Sequence, residues 1–167
     1  MAEPTTTPTS RGGALACPPT GPRAFYFTRA AAPANLGGEI DGAIRPRTRD
    51  MHALLQRFEP DAILTDNIWG YLWGKLACVS FVFGQGLGKA SIADCLARPE
   101  LLPAWRALGA EILSVAKAEG VEARGFNGFD PKAFAPGASE AAARASVDAM
   151  VAFNRPNPKS HSGIWRD

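Results

Sequence analysis

One charge stands inside the apolar stretch DNIWGYLWGKLACVSFVFG, residues 66–84, and it belongs to Lys75. On a helical wheel Lys75 lies roughly 20° from both Ile68 and Val82, well within the apolar arc. A lysine so placed either snorkels its ammonium to the surface or has a chemical use. Desolvation makes an ammonium a readier proton donor near neutral pH. A reductase acting on a ketone needs such a donor beside the developing alkoxide. The pattern alone leaves both readings open.

Other reactive residue types give weaker patterns. GQGLGK, residues 84–89, looks like a phosphate loop, but a P-loop needs a glycine where Phe83 stands and Ser or Thr where Ala90 stands. It reads as a helix-ending turn. Cys78, Cys95, His52 and His161 are too dispersed for a metal, because zinc ligands usually arrive as close pairs. The thiols read as buried. His161 neighbours Ser160 and Ser162, yet sequence neighbours rarely make a proton relay; it reads as a loop histidine near a helix cap.

The elements that must position these groups follow from spacing. Within residues 66–84, Ile68, Leu72, Leu76, Val79 and Phe83 recur at steps of four and three, one face of a helix. Trp69, Trp73, Cys78 and Val82 widen that face. Gly70, Gly74 and Ala77 gather on the remaining side, where another backbone could come close. Asp66 is the expected N-cap. With almost no polar face, this helix is expected to lie buried in the middle of the domain.

Upstream, residues 1–23 are rich in Pro, Thr and Gly and poor in large apolar groups, a composition expected to stay disordered. Phe25-Tyr26-Phe27 reads as a strand, residues 38–42 as an edge strand, and residues 62–65 as a short strand. Residues 46–58 read as an amphipathic helix with Thr48 or Arg49 near its start. Its expected inner face is Met51, Leu54, Leu55 and Phe58. Downstream the pattern is helical. Residues 91–96 form a short helix closed by Pro99. A long helix follows, in which Leu101, Trp105, Leu108, Ile112 and Val115 alternate and Gly120 supplies a left-handed stop. Residues 124–137 form a loop with one helical turn. Ser139 caps an alanine-rich helix to Phe153, and residues 159–167 open another.

Bulk properties exclude several classes. A chain of 167 residues with 46% apolar and 20% charged content fits one soluble domain. A net charge of +2 with scattered Lys and Arg gives no field for nucleic acid. No segment is apolar enough to span a membrane, and no secretory signal opens the chain. Three cysteines, Cys17, Cys78 and Cys95, make no disulfide framework and suit a reducing, cytoplasmic setting.

Four segments, GGEIDGAIRPRT, DNIWGYLWGKLA, EILSVAKAEGV and AFNRPNPKSHSGIWRD, resemble in order and spacing the landmarks of the ketopantoate reductase (2-dehydropantoate 2-reductase) family. The resemblance runs from about Phe25 to Asp167, and the tryptophan-x-lysine-leucine element is its most specific part. It implies an N-terminal Rossmann domain for NADPH and a C-terminal helical domain like that of the 6-phosphogluconate dehydrogenase group, with the active site between them. Hydride passes from NADPH to the ketone carbon and a lysine protonates the oxygen. Lys75 matches that lysine. The family's substrate-binding serine falls at Ser162 or the adjoining Gly163, and Ser162, with the loop around His161, is taken as the substrate contact. Two family asparagines are replaced by Val79 and Phe83, which opens the choice of 2-oxo acid. The family's downstream glutamate would lie beyond Asp167.

No G-x-G-x-x-G occurs. The resemblance therefore implies a mainly α chain of three parts: a disordered segment at 1–23, a short α/β remnant of a Rossmann domain at 24–65, and a truncated helical domain at 66–167. NADP is the family cofactor, and the chain alone is expected neither to bind it nor to be active. The expected partner is a small 2-oxo acid, with no nucleic acid and no membrane; a homodimer stays open. The rival expectation is a non-catalytic helical remnant that serves packing or self-association.

Overall fold

The computed structural model describes residues 25–29, 35–125, 127–157 and 161–163. Residues 1–23 and most of the expected last helix lie outside them. The described chain is mainly helical, with one small mixed sheet. Strand β1 (Phe25–Arg29) runs antiparallel to β2 (Asn35–Glu39), and β2 runs parallel to β3 (Ile63–Leu64). Helix α1 (Pro46–Gln56) connects β2 to β3, so these three make a parallel crossover unit. Such a unit is common to all α/β folds and identifies none of them. The expected edge strand is thus the central one: β2 has a partner on each side.

Helix α1 also departs from expectation in the face it turns inward. Met51, Leu54 and Phe58 are exposed, Phe58 by 77%, and Thr48 is the residue it buries. A carboxylate explains the choice. Glu39, only 2% exposed at the end of β2, accepts from Arg47 Nε at 2.9 Å and from Thr48 Oγ1 at 2.7 Å, while Arg47 Nη2 holds its second oxygen. Buried charge must be paired and hydrogen-bonded, and this pairing docks the start of α1 on the sheet with its polar side inward.

Helix α2 (Ile68–Gly84) starts one residue later than expected. The cap is Asn67, not Asp66: its Oδ1 accepts the Gly70 amide at 2.9 Å. The helix is not buried all round. Its buried residues are Ile68, Gly70, Gly74, Ala77, Cys78 and Phe81, whereas Leu76 is 51% and Phe83 47% exposed. The small-residue side faces inward because the backbone of residues 122–124 crosses it. The Arg124 amide donates to Gly70 O at 2.8 Å, and a Cβ on Gly74 would lie 1.7 Å from Arg124 O. The expected close backbone approach is therefore present, and it decides which way the helix turns.

A 3₁₀ turn at Gln85–Leu87 ends α2, as the reading of GQGLGK as a turn requires. Ser91 caps α3 (Ile92–Leu96), Gly120 ends α4 (Leu102–Ala118) with φ +73°, and Ser139 caps α5 (Glu140–Asn154). A single 3₁₀ turn, Pro131–Phe134, interrupts the loop between α4 and α5. Helix α4 is rotated from the expected face: Leu102, Trp105, Gly109, Leu113 and Ala116 are buried, Leu108 is half-buried and Val115 exposed. The core joins α2, α3, α4 and α5 around Phe81. That ring stacks on Trp105 at 5.5 Å and meets Phe129 and Phe134 edge-on at 5.7 and 5.1 Å. Aromatic pairs at these separations add to the gain from burial.

Candidate functional site

Lys75 sits near the middle of α2 and is half-buried. Its neighbours one turn away on the helix surface are Leu72 and Val79, both half-buried, and exposed Leu76 lies beside it. Lys75, Val79 and Phe83 follow one another at steps of four, so the lysine lies in an apolar band between the glycine side of α2 and exposed Leu76. A half-desolvated ammonium beside apolar side chains can hold a carboxylate or give a proton to a developing alkoxide. The places of the family asparagines supply no polar group here.

Ser162 lies elsewhere. It is buried, its amide donates to Gln85 Oε1 at 2.9 Å, and its Oγ has no hydrogen-bond partner among the described residues. Gln85 Nε2 in turn donates to Ala90 O at 2.8 Å, and the His161 ring meets Lys89 O at 3.4 Å. Buried Gln85 thus ties residues 161–163 to the turn after α2. Ten residues at 1.5 Å rise put Gln85 about 15 Å along the axis from Lys75. Helical side chains lean toward the N-terminus, so Lys75 leans away from that end. The structure does not bring Lys75 and Ser162 together.

The remaining candidates are inert or structural. Burial pushes the Cys78 thiol up to about 12, which keeps it protonated. Cys95 is half-buried, raised by burial and opposed by the charge of Arg98. His52 Nε2 meets Ala62 O at 2.7 Å, a tie between α1 and the approach to β3. Among the described residues no three His, Cys, Asp or Glu groups gather as for a metal, and no helix is long and apolar enough to cross a membrane.

Sequence reasoning missed the Glu39, Arg47 and Thr48 cluster, buried Gln85 and the Phe81 hub. The signal for the first was present: one carboxylate at a strand end followed by Arg45, Arg47 and Arg49. The Arg47 hydrogen bond is the main cause that holds Glu39 below its ordinary value; burial opposes it and Thr48 adds to it.

The described residues do not fit NADP. No glycine-rich turn among them joins a strand to a helix N-terminus, and the first turn of α1 carries Arg47 and Thr48 already engaged on Glu39. The chain matches no family model, and comparison with curated proteins and with solved structures finds no similar protein.

Proposed function

We propose that this chain is the substrate side of a ketopantoate-reductase-like oxidoreductase, a helical domain of the 6-phosphogluconate-dehydrogenase-like kind working in the cytoplasm. Lys75 is its proton donor. One observation carries the reading: the single charge of α2 is held half-buried among apolar residues, where the closed and open sides of the helix meet. The landmark sequences quoted above supply the reaction class. The proton on Lys75 Nζ goes to the carbonyl oxygen of a 2-oxo acid as its carbon is reduced. With Leu72, Val79 and Phe83 around the lysine, the substrate carries an apolar tail. Hydride belongs to NADPH in the family, and the chain's own part is to hold the acid and supply the proton. The Ser162 contact implied by the resemblance belongs to the turn after α2, where its amide is held by Gln85, so the proposal rests on Lys75.

Titration with 2-dehydropantoate, followed by amide chemical shifts, tests it. Saturable shifts over residues 72–83 are expected, and Lys75→Met is expected to abolish them. The same shifts in Lys75→Met, or none at about 10 mM ligand, overturn the reading.

A second reading, self-association without catalysis, is favoured by the open apolar faces. Leu76, Phe83 and the 95%-exposed Leu87 lie on one, and Met51, Leu54 and Phe58 on another. Sedimentation that shows a dimer broken by Leu76→Glu and untouched by Lys75→Met supports it.

A further inference from the structure

A cavity of about 310 Å³ lies between the turn at residues 84–90 and α4, within the range of small-molecule sites. Its wall includes Gln85, Lys89, Cys95, Arg98, Leu101 and Trp105, and no carboxylate lines it among the described residues. Lys89 and Arg98 are exposed at its rim, whereas Gln85 and Trp105 are buried. The benzo edge of Trp105 lies against Gly84, where an added Cβ would come within 2.9 Å. Among the described residues its buried indole N–H has no acceptor, a cost to the fold.

We infer that this cavity binds a small organic carboxylate with a flat apolar body, at a site apart from Lys75. Two cations with no acid opposite them among the described residues select a negative charge, and Leu101, Cys95 and the plane of Trp105 supply an apolar wall for the rest of the ligand. The carbonyl end of α2 disfavours an anion here, but a partial charge does not outweigh two full ones. A phosphate fits less well. The Gly88 amide is already bonded to Gln85 O at 3.0 Å and the Ser162 amide to the Gln85 side chain, so the turn does not present the converging free amides of a phosphate cradle. Because both cations face water, the attraction is screened and the affinity modest.

Benzoate is the probe, with benzamide as its neutral counterpart and inorganic phosphate as the bare anion. Benzoate is expected to bind with Kd of about 1 mM, shifting the amides of residues 85–90 and the indole N–H of Trp105. Benzamide, phosphate and the double variant Lys89→Gln, Arg98→Gln are each expected to weaken the affinity at least about tenfold, which is about 1.4 kcal/mol. Both substituted side chains are exposed, so the variant keeps its fold, and an unchanged melting curve checks this. Equal binding of benzamide or of phosphate overturns the inference. So do unchanged binding by the double variant and shifts confined to residues around Lys75.

Discussion

The two sides of α2 are built on opposite rules. The inward side is made of small residues and one large ring: Gly70, Gly74, Ala77 and Cys78 let residues 122–124 and the neighbouring helices come close, and Phe81 fills the centre. The outward side carries Leu76, Phe83 and, in the following turn, Leu87, all substantially exposed. Hydrophobicity alone would have turned the larger side chains inward. Shape decided otherwise, because a backbone crossing needs glycine and offers hydrogen bonds in return, while a leucine row forbids the approach. Helix α1 repeats the asymmetry by another route, burying Thr48 against Glu39 and leaving Met51, Leu54 and Phe58 outside.

The sharpest way to break this comparison uses two phenylalanines two residues apart. Phe81 is wholly buried and touches three other rings, so Phe81→Ala should cost about 3–5 kcal/mol. Phe83 is 47% exposed, so Phe83→Ala should cost about 1 kcal/mol, half of a full burial. Urea unfolding of both variants measures the difference. Equal losses would mean that the outward side is covered in solution.

Gly74→Ala probes the crossing itself. Alanine gains about 1 kcal/mol in helix propensity over glycine. Against that, its Cβ would meet Arg124 O at 1.7 Å, and the backbone must shift at a cost of about 3 kcal/mol or more. A net loss of at least about 2 kcal/mol is expected in urea unfolding. A stabilised variant would show that residues 122–124 do not lie on α2.

These contrasts also mark how far the sequence could be read. Element positions were legible because local chemistry sets them: Ser91 and Ser139 cap α3 and α5, and Gly120 ends α4 in the left-handed region. The close approach at Gly70 and Gly74 was legible too, since only glycine spacing allows it. The inward faces of α1, α2 and α4 were not. In α2 apolar residues occur nearly all round, so periodicity gives no preferred direction and the tertiary partner decides. In α4 the true face turns on Gly109 and Ala116, small residues that a search for large apolar side chains passes over. The pairing of Glu39 depends on a fold-back of eight residues that no local propensity encodes. At the candidate site, the position of Lys75 on α2 was readable. The tie of Ser162 to Gln85 was not, because it joins residues 77 apart.

Arg47→Met tests the polar route by which α1 is oriented. Breaking a fully buried ion pair costs about 3–5 kcal/mol; the Arg47 side chain is 40% exposed, so water softens the loss to about 2 kcal/mol. The same cluster predicts a pH dependence. Glu39 has its folded value lowered from 4.5, so its contribution is present above that pH and is lost as pH falls through the folded value. Asp41, lowered mainly by its hydrogen bond from Arg45, and Asp94, lowered mainly by Ser91, act in the same direction. Stability should fall as pH drops below 4.5, and Arg47→Met should make that fall shallower. An unchanged slope would show that Glu39 does not depend on Arg47.

The smallest effect is expected at Lys75, where the two sides of α2 meet. Its stem covers apolar surface between Leu72 and Val79, and methionine keeps a chain of similar length over the same neighbours. What the substitution removes is a half-desolvated charge together with whatever polar contact that charge makes. A contact at a half-exposed position is worth about 0–1 kcal/mol, and relief of desolvation offsets it or exceeds it. Lys75→Met should therefore leave stability unchanged or raise it by up to about 1 kcal/mol, the sign expected where a charge is kept for chemistry rather than for the fold. Urea unfolding of the two proteins reads this by sign. A loss of about 3 kcal/mol or more would mean that Lys75 neutralises a buried carboxylate. It would then be a structural charge belonging to the closed side of the helix, and the proton-donor reading would fall with it.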